Sequence, residues 1–290
     1  MFVSILINGL VSGAVYAILA IGFSLIFGVA KIMNMAHTAF YMLTAFLILG
    51  AITFLEVPLP LAAMASIIVA GLLGVVCYKL CFDRIKVHET AVMIISVAVA
   101  MLFEETMLLT FGAQYQRIPP FIEGYFELGG VSILNQHFFT AGASIATLVG
   151  VWLLLSKTKL GKSIRAVDQD REIANVMGID VTKTSMQVMG ISVILAGVAG
   201  AVTAPTIMVN PLMWTNPLVI VLSAVVLGGL GSIKGSAIAA FILGYAETLV
   251  VFLVPDGSFL RGAVSLVAMV LVLLIRPEGL FGVAFEEERL

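Results

Sequence analysis

Residues 157–183 read KTKLGKSIRAVDQDREIANVMGIDVTK, the one long polar run in a chain that is otherwise apolar from end to end. On both sides lie stretches of the ~20 apolar residues that a membrane-crossing helix needs. The chain has 290 residues, 61% hydrophobic and 11% charged, with a mean hydropathy of +1.15. A soluble domain carries about 25% charged residues, and a water-facing surface cannot be covered with so few. The reading is an all-α polytopic membrane protein, a single unit over residues 1–290, with eight to nine transmembrane helices, some broken or re-entrant. The polar loop 157–185 lies between two of them.

Outward from that loop, the fifth and sixth spans are expected over 138–155 and 185–209. Upstream, spans are expected over 3–30, 40–55, 61–80 and 91–111. Downstream, further spans are expected over 218–227, 237–254 and 260–275. No Lys or Arg precedes Lys31, so the first span lacks the basic start of a cleavable signal and is expected to stay. Between the fourth and fifth spans, 112–136 holds Pro119, Pro120, Gly124, Gly129 and Gly130, with Tyr115, Phe121, Tyr125 and Phe126 suited to an interfacial layer. Orientation comes from Lys and Arg. With loop 157–185 cytoplasmic, thirteen basic residues fall inside (Lys86 and Arg289 among them), and only Arg117 and Arg261 outside. The expectation is nine spans in a bacterial inner membrane, N-terminus outside and C-terminus cytoplasmic. The short segment from Leu218 is the weak point, since a re-entrant course there changes the parity of the later spans.

Within the polar run, Asp168 or Asp170 can cap a short helix. Ile173, Ala174, Val176 and Met177 give it an apolar side, and Gly178 can end it in the left-handed conformation. Asp180 offers a cap for the next span. So short a helix is unstable alone and needs a surface, either its own spans or a groove on a partner. Gly161-Lys162-Ser163 resembles the end of a phosphate loop, but Ser156 stands where that motif needs glycine and no strand precedes it. Cys77 and Cys81 are four apart and read as small apolar side chains on one helix face. The net charge of −2 speaks against a nucleic-acid partner.

Breaks inside apolar stretches expose backbone that must face protein or water. Asn34 with His37, Asn210 with Pro211, and Gly228, Gly229 and Gly231 are such breaks, and together they form the candidate translocation path. Glu104, Glu105 and Glu247 fall inside predicted spans. They read as polar contacts between helices or as water-facing groups, because no basic residue is expected at their depth.

Arg165 to Asp180, RAVDQDREIANVMGID, resembles the cytoplasmic coupling segment of the permease subunits of branched-chain amino-acid ABC importers. Asn34 to Leu43 is similar to that family's N-F-A-H-G-A-F-Y-M-L stretch. Val209-Asn210-Pro211 matches its Asn-Pro break. Val226 to Glu247 is similar to its glycine-rich segment and adjoining helix, and the closing R-P-E-G-L-F-G, Arg276 to Gly282, also fits. The motifs stand in the same order over nearly the whole chain. The chain departs from the pattern at Thr38, Thr44, Lys234, Ser236 and over Ile95–Ala100. The resemblance implies a non-catalytic permease subunit, paired with a second homologous permease or with a copy of itself. Two cytoplasmic ATPase subunits would hold the ATP and magnesium, and a periplasmic binding protein would deliver branched-chain amino acids. It also implies that Arg165, Asp168, Asp170, Arg171, Glu172, Ala174, Met177 and Gly178 meet the ATPases. Urea and short amides are alternative substrates. A secondary transporter driven through Glu104 or Glu247 is an alternative class, and for a membrane-embedded enzyme the scattered His37, His88 and His137 give no cluster.

Overall fold

The computed structural model of the chain describes residues 2–85, 88–128 and 131–281. Lys86, Gly129, Gly130, Gly282 and Arg289 lie outside the described residues. The chain folds into α1 (Phe2–Ala30), α2 (His37–Phe54), α3 (Leu59–Cys77) prolonged by a wide turn Tyr78–Phe82, and α4 (Glu89–Phe111). Then come β1 (Tyr125–Leu128), β2 (Val131–Leu134), α5 (Asn135–Lys157), α6 (Lys159–Gln169), α7 (Arg171–Val176) and α8 (Val181–Thr203). The chain closes with α9 (Thr215–Gly228), α10 (Ile233–Leu253) and α11 (Arg261–Ile275). The strands form one antiparallel hairpin with Tyr125 opposite Leu134, inside the loop between the fourth and fifth spans.

Among the described residues eight helices are long and apolar enough to cross a membrane, and α9, at 14 residues, is a shorter apolar helix. α1 and α8 are central: 72% of the most apolar window of each is buried, against 6% for the span ending in α11. That difference sorts the bundle's core from its rim. α1 packs most extensively on α10, because Gly13 and Gly244 let two backbones touch. A Cβ on Gly244 would lie 2.5 Å from Gly13 Cα, the close approach that small residues give membrane helices.

The contacts fix which helix ends share a face. At one face the end of α1 meets α6 and α7: Arg171 Nη1 donates to Ala30 O at 3.3 Å. At the other, the hairpin face, Gln116 pairs with Val209 between the ends of α4 and α8. α3 runs antiparallel to α8, with Ile67 beside Gly197 and Val75 beside Gly190. α9 starts on the hairpin side, where Trp214 Nε1 donates to Glu104 of α4 at 2.7 Å. Glu104 lies seven residues before Phe111, about 10 Å inward along α4. α9 ends at the α6–α7 face, where Leu280 N donates to Leu227 O at 2.8 Å. It therefore crosses instead of re-entering, and the start of α1 and the end of α11 lie on opposite faces.

Several boundaries differ from expectation. α2 starts at His37 instead of Phe40, α5 at Asn135 instead of Phe138, and α8 spans Val181–Thr203 instead of 185–209. Hydropathy counts apolar residues, but polar caps belong to the same helices: Asp180 Oδ1 accepts Lys183 N at 2.8 Å at the head of α8. The polar run holds two helices where the sequence predicts one. Thr158 Oγ1 accepts Gly161 N at 3.0 Å to start α6. Any Cβ on Gly161 would fall on the Leu155 carbonyl, so the corner from α5 into α6 needs glycine.

Candidate functional site: a coupling arm and a polar chamber

α6 buries Ile164 and Val167, three residues apart on one side, and exposes Lys162 and Arg165 on the other. Asp170 caps α7, its Oδ1 accepting Ile173 N at 2.9 Å. Gly178, at φ +85°, turns the chain out of it. Asp168 is not a cap. It lies in the last turn of α6 with its carboxylate against Gly28 of α1. Burial pushes the Asp168 carboxyl above the ordinary carboxylate range, and the charge of Lys31 pulls it partly back. Arg171, half-buried, gives its guanidinium to Ala30 O, a carbonyl that α1 leaves free at its C-terminus.

The expected apolar side of α7 is divided in two. Ala174 is buried against the body. Ile173, Val176 and Met177 are 62%, 85% and 77% exposed. Glu172 is also exposed, beside Arg171 and Asn175 along a shallow groove that continues to Asp180. The arm thus has an inner side gripping α1 and an outer side of exposed apolar residues.

The break residues do not gather at one place. Asn34 and His37 lie in the packed core between α1, α2 and α8. Asn34 Oδ1 accepts Ala36 N at 3.1 Å. His37 Nε2 donates to Leu19 O at 3.1 Å, and the Ser192 hydroxyl sits 3.2 Å from its Nδ1 and 2.7 Å from Gly22 O. Gly228 packs on Gly235, Gly229 takes φ +100° under Gly279, and Gly231 lies beside Gly28, all at the α6–α7 face. Pro211 is buried. Asn210 lines a chamber.

That chamber, about 530 Å³, lies on the hairpin side between α1, the stretch 203–217 and the start of α11. Asn8, Ser12 and Tyr16 of α1 line it, with Asn210, Asn216 and Arg261. Val11, Val15 and Ile220 supply apolar wall. Sequence reasoning missed the α1 residues, although Asn8, Ser12 and Tyr16 recur at four-residue spacing on an apolar helix, which places three polar groups along one side. A smaller adjoining pocket of about 170 Å³ shares Asn8, Ser12, Tyr16 and Arg261 and adds Glu247. The expectation that no basic residue reaches the depth of Glu247 is corrected: Arg261, at the head of α11, does so. Glu104 and Glu247 are apart, one taking Trp214 and the other Tyr16 and Ser265 as donors. Glu105 is exposed. Among the described residues no group of three or more His, Cys, Asp or Glu is placed to hold a metal ion.

Residues 5–274 match the family described as the permease component of the branched-chain amino acid transport system. The chain belongs to that family. The permease is 28% identical over 296 residues to the high-affinity branched-chain amino acid transport system permease protein BraD of Pseudomonas aeruginosa, covering 96% of this chain and 94% of that one. It is 25% identical over 300 residues to the permease protein LivH of Escherichia coli K12, covering 97% and 96%. The autoinducer 2 import system permease protein LsrD of Salmonella typhi is 28% identical over 240 residues, 77% of this chain and 70% of that one. In fold, the permease resembles a chain of PsaBC from Streptococcus pneumoniae in complex with Fab, with a TM-score of 0.55 and 17% identity over 94% and 92% of the two chains.

Proposed function

We propose that this permease is the membrane-spanning subunit of an ATP-driven importer that carries branched-chain amino acids across a bacterial inner membrane. The observation that carries the reading is the two-sided arm. α7 presents Ile173, Val176 and Met177 outward while Arg171 and the neighbouring Asp168 hold α1. An amphipathic helix with a free apolar side fits a groove on a partner, here a cytoplasmic ATPase, with Arg165, Glu172 and Gly178 around the contact. ATP and magnesium belong to that partner. A second permease and a soluble receptor complete the assembly. The names of BraD and LivH support the substrate class. The excess of Lys and Arg on the α6–α7 face supports a cytoplasmic position for it.

Reconstitution with two ATPase subunits, a second permease and the receptor should give leucine uptake that stops without ATP. Uptake that persists without the ATPases and collapses with a proton or sodium gradient would favour secondary transport instead. A cysteine placed at Gln169 should react only with a reagent supplied from the cytoplasmic side; reaction from outside overturns the orientation.

A further inference from the structure

We propose that the pocket between Arg261 and Glu247 holds the charged head of a zwitterionic amino acid on its way through, with the side chain lying in the adjoining chamber. This rests on the importer reading and adds to it the residues that select the substrate.

Glu247 is 2% exposed. Its carboxylate takes neutral donors, Tyr16 OH to Oε2 at 3.0 Å and Ser265 Oγ to Oε1 at 2.6 Å. These two hydroxyls, one from α1 and one from α11, fix its position. Arg261 lines the same pocket from the start of α11. The buried Glu247 carboxylate and the exposed Arg261 guanidinium line the same space of about 170 Å³ without the guanidinium serving as the carboxylate's donor, so the two ends of the pocket offer opposite charges that one guest can meet. An ammonium group suits the Glu247 side. A carboxylate suits the planar fork of Arg261. An anion alone or a cation alone would leave one of the two unmatched. Asn8 and Ser12 add neutral polar groups to the pocket wall, and the chamber next door offers Val11, Val15 and Ile220 to an aliphatic side chain. The head therefore sits in the polar pocket and the tail in the larger space, the usual division between orienting polar groups and apolar wall in a ligand site.

The test uses the whole transporter in nanodiscs without its receptor, and the probe is tritiated leucine. Its competitors are 4-methylpentanoate, which lacks the ammonium group, and 3-methylbutylamine, which lacks the carboxylate. Wild type should bind leucine more than about tenfold better than either competitor, since each omission strands a charged partner. Arg261→Met should abolish the preference for leucine over the amine and keep the preference over the acid. Glu247→Gln should do the reverse. As a check independent of those variants' folding, a cysteine replacing Ser12 should react with a small thiol reagent, and leucine should slow that reaction. Wild-type preferences in both charge variants, or a Ser12→Cys rate that leucine leaves unchanged, would overturn the proposal. So would absence of leucine binding in a preparation that imports leucine with receptor and ATP. Failure of that import in wild type strikes the importer reading instead.

Discussion

Replacing Val176 and Met177 together by alanine removes the outer side of α7 and little else. Burying a Val or Met side chain fully stabilises by about 1.5–3 kcal/mol. These two enter the contact 85% and 77% exposed, so nearly all of that term is available to a partner. Alanine keeps part of it, leaving a loss of about 2–3 kcal/mol for the pair. This is on the order of a 30- to 150-fold weaker ATPase association. The fold should not notice, because neither side chain packs inside the permease and exposed substitutions cost within about 0.5 kcal/mol. The assay is titration of the ATPase subunit against the permease in nanodiscs, with the thermal midpoint of the permease alone as the folding control. Leu274→Ala on α11 is the comparison, since Leu274 is 78% exposed and belongs to another helix. Undiminished ATPase affinity in the double variant, or an equal loss in Leu274→Ala, would refute docking on α7.

Gly244→Ala should lower the thermal midpoint, because its Cβ would meet the α1 backbone and overpacking costs about 1–3 kcal/mol. Gly142→Ala, with open space around it, should be neutral or gain a few tenths of a kcal/mol of helix propensity. Arg171→Met should leave ATPase binding near wild type but reduce leucine uptake per ATP hydrolysed, with Arg171→Lys intermediate; measuring both rates in proteoliposomes separates transmission from docking. Asp168 supplies a pH dependence. Its carboxyl is raised by burial from an ordinary value of 3.8. The protonated form therefore favours the seated arm, and its contribution is complete below the unfolded carboxylate value and lost as pH rises through the higher folded one. Hydrogen exchange in α6, corrected for intrinsic rate, should be slowest at the acid end of that window, and Asp168→Asn should flatten the trend.

The spans were legible because membrane helices advertise themselves by length and hydropathy, and the polar run was legible by contrast with them. Asp170, Gly178 and Asp180 were readable too, since capping is local chemistry within a few residues. What sequence could not supply is any relation across helices. Tyr16, Glu247 and Arg261 meet although more than two hundred residues separate the first from the others. Nothing in the hydropathy of α11 shows that the exposed Arg261 also lines the pocket of Glu247. Likewise His37 looks like a lone polar group at a break, and only the positions of Leu19, Gly22 and Ser192 show its ring bonded into the core.

One helix joins the arm to the chamber. α1 has 29 residues, about 43 Å at 1.5 Å each. At its end Ala30 takes Arg171, and Gly28 lies under Asp168. Toward its start Asn8, Ser12 and Tyr16 line the chamber, and Tyr16 donates to Glu247. α1 is packed against the backbone of α10 at Gly13, so a displacement at its far end is expected to carry both helices. A pull on α7 then acts on the chamber wall through a rigid element, not through a chain of side-chain adjustments. This demands that damage at the Arg171–Ala30 bond and damage at the Tyr16–Glu247 bond both lower uptake per ATP, while only the second alters which amino acid binds. If Arg171→Met and Tyr16→Phe each shifted substrate preference equally, the arm and the chamber would not be the two ends of one lever.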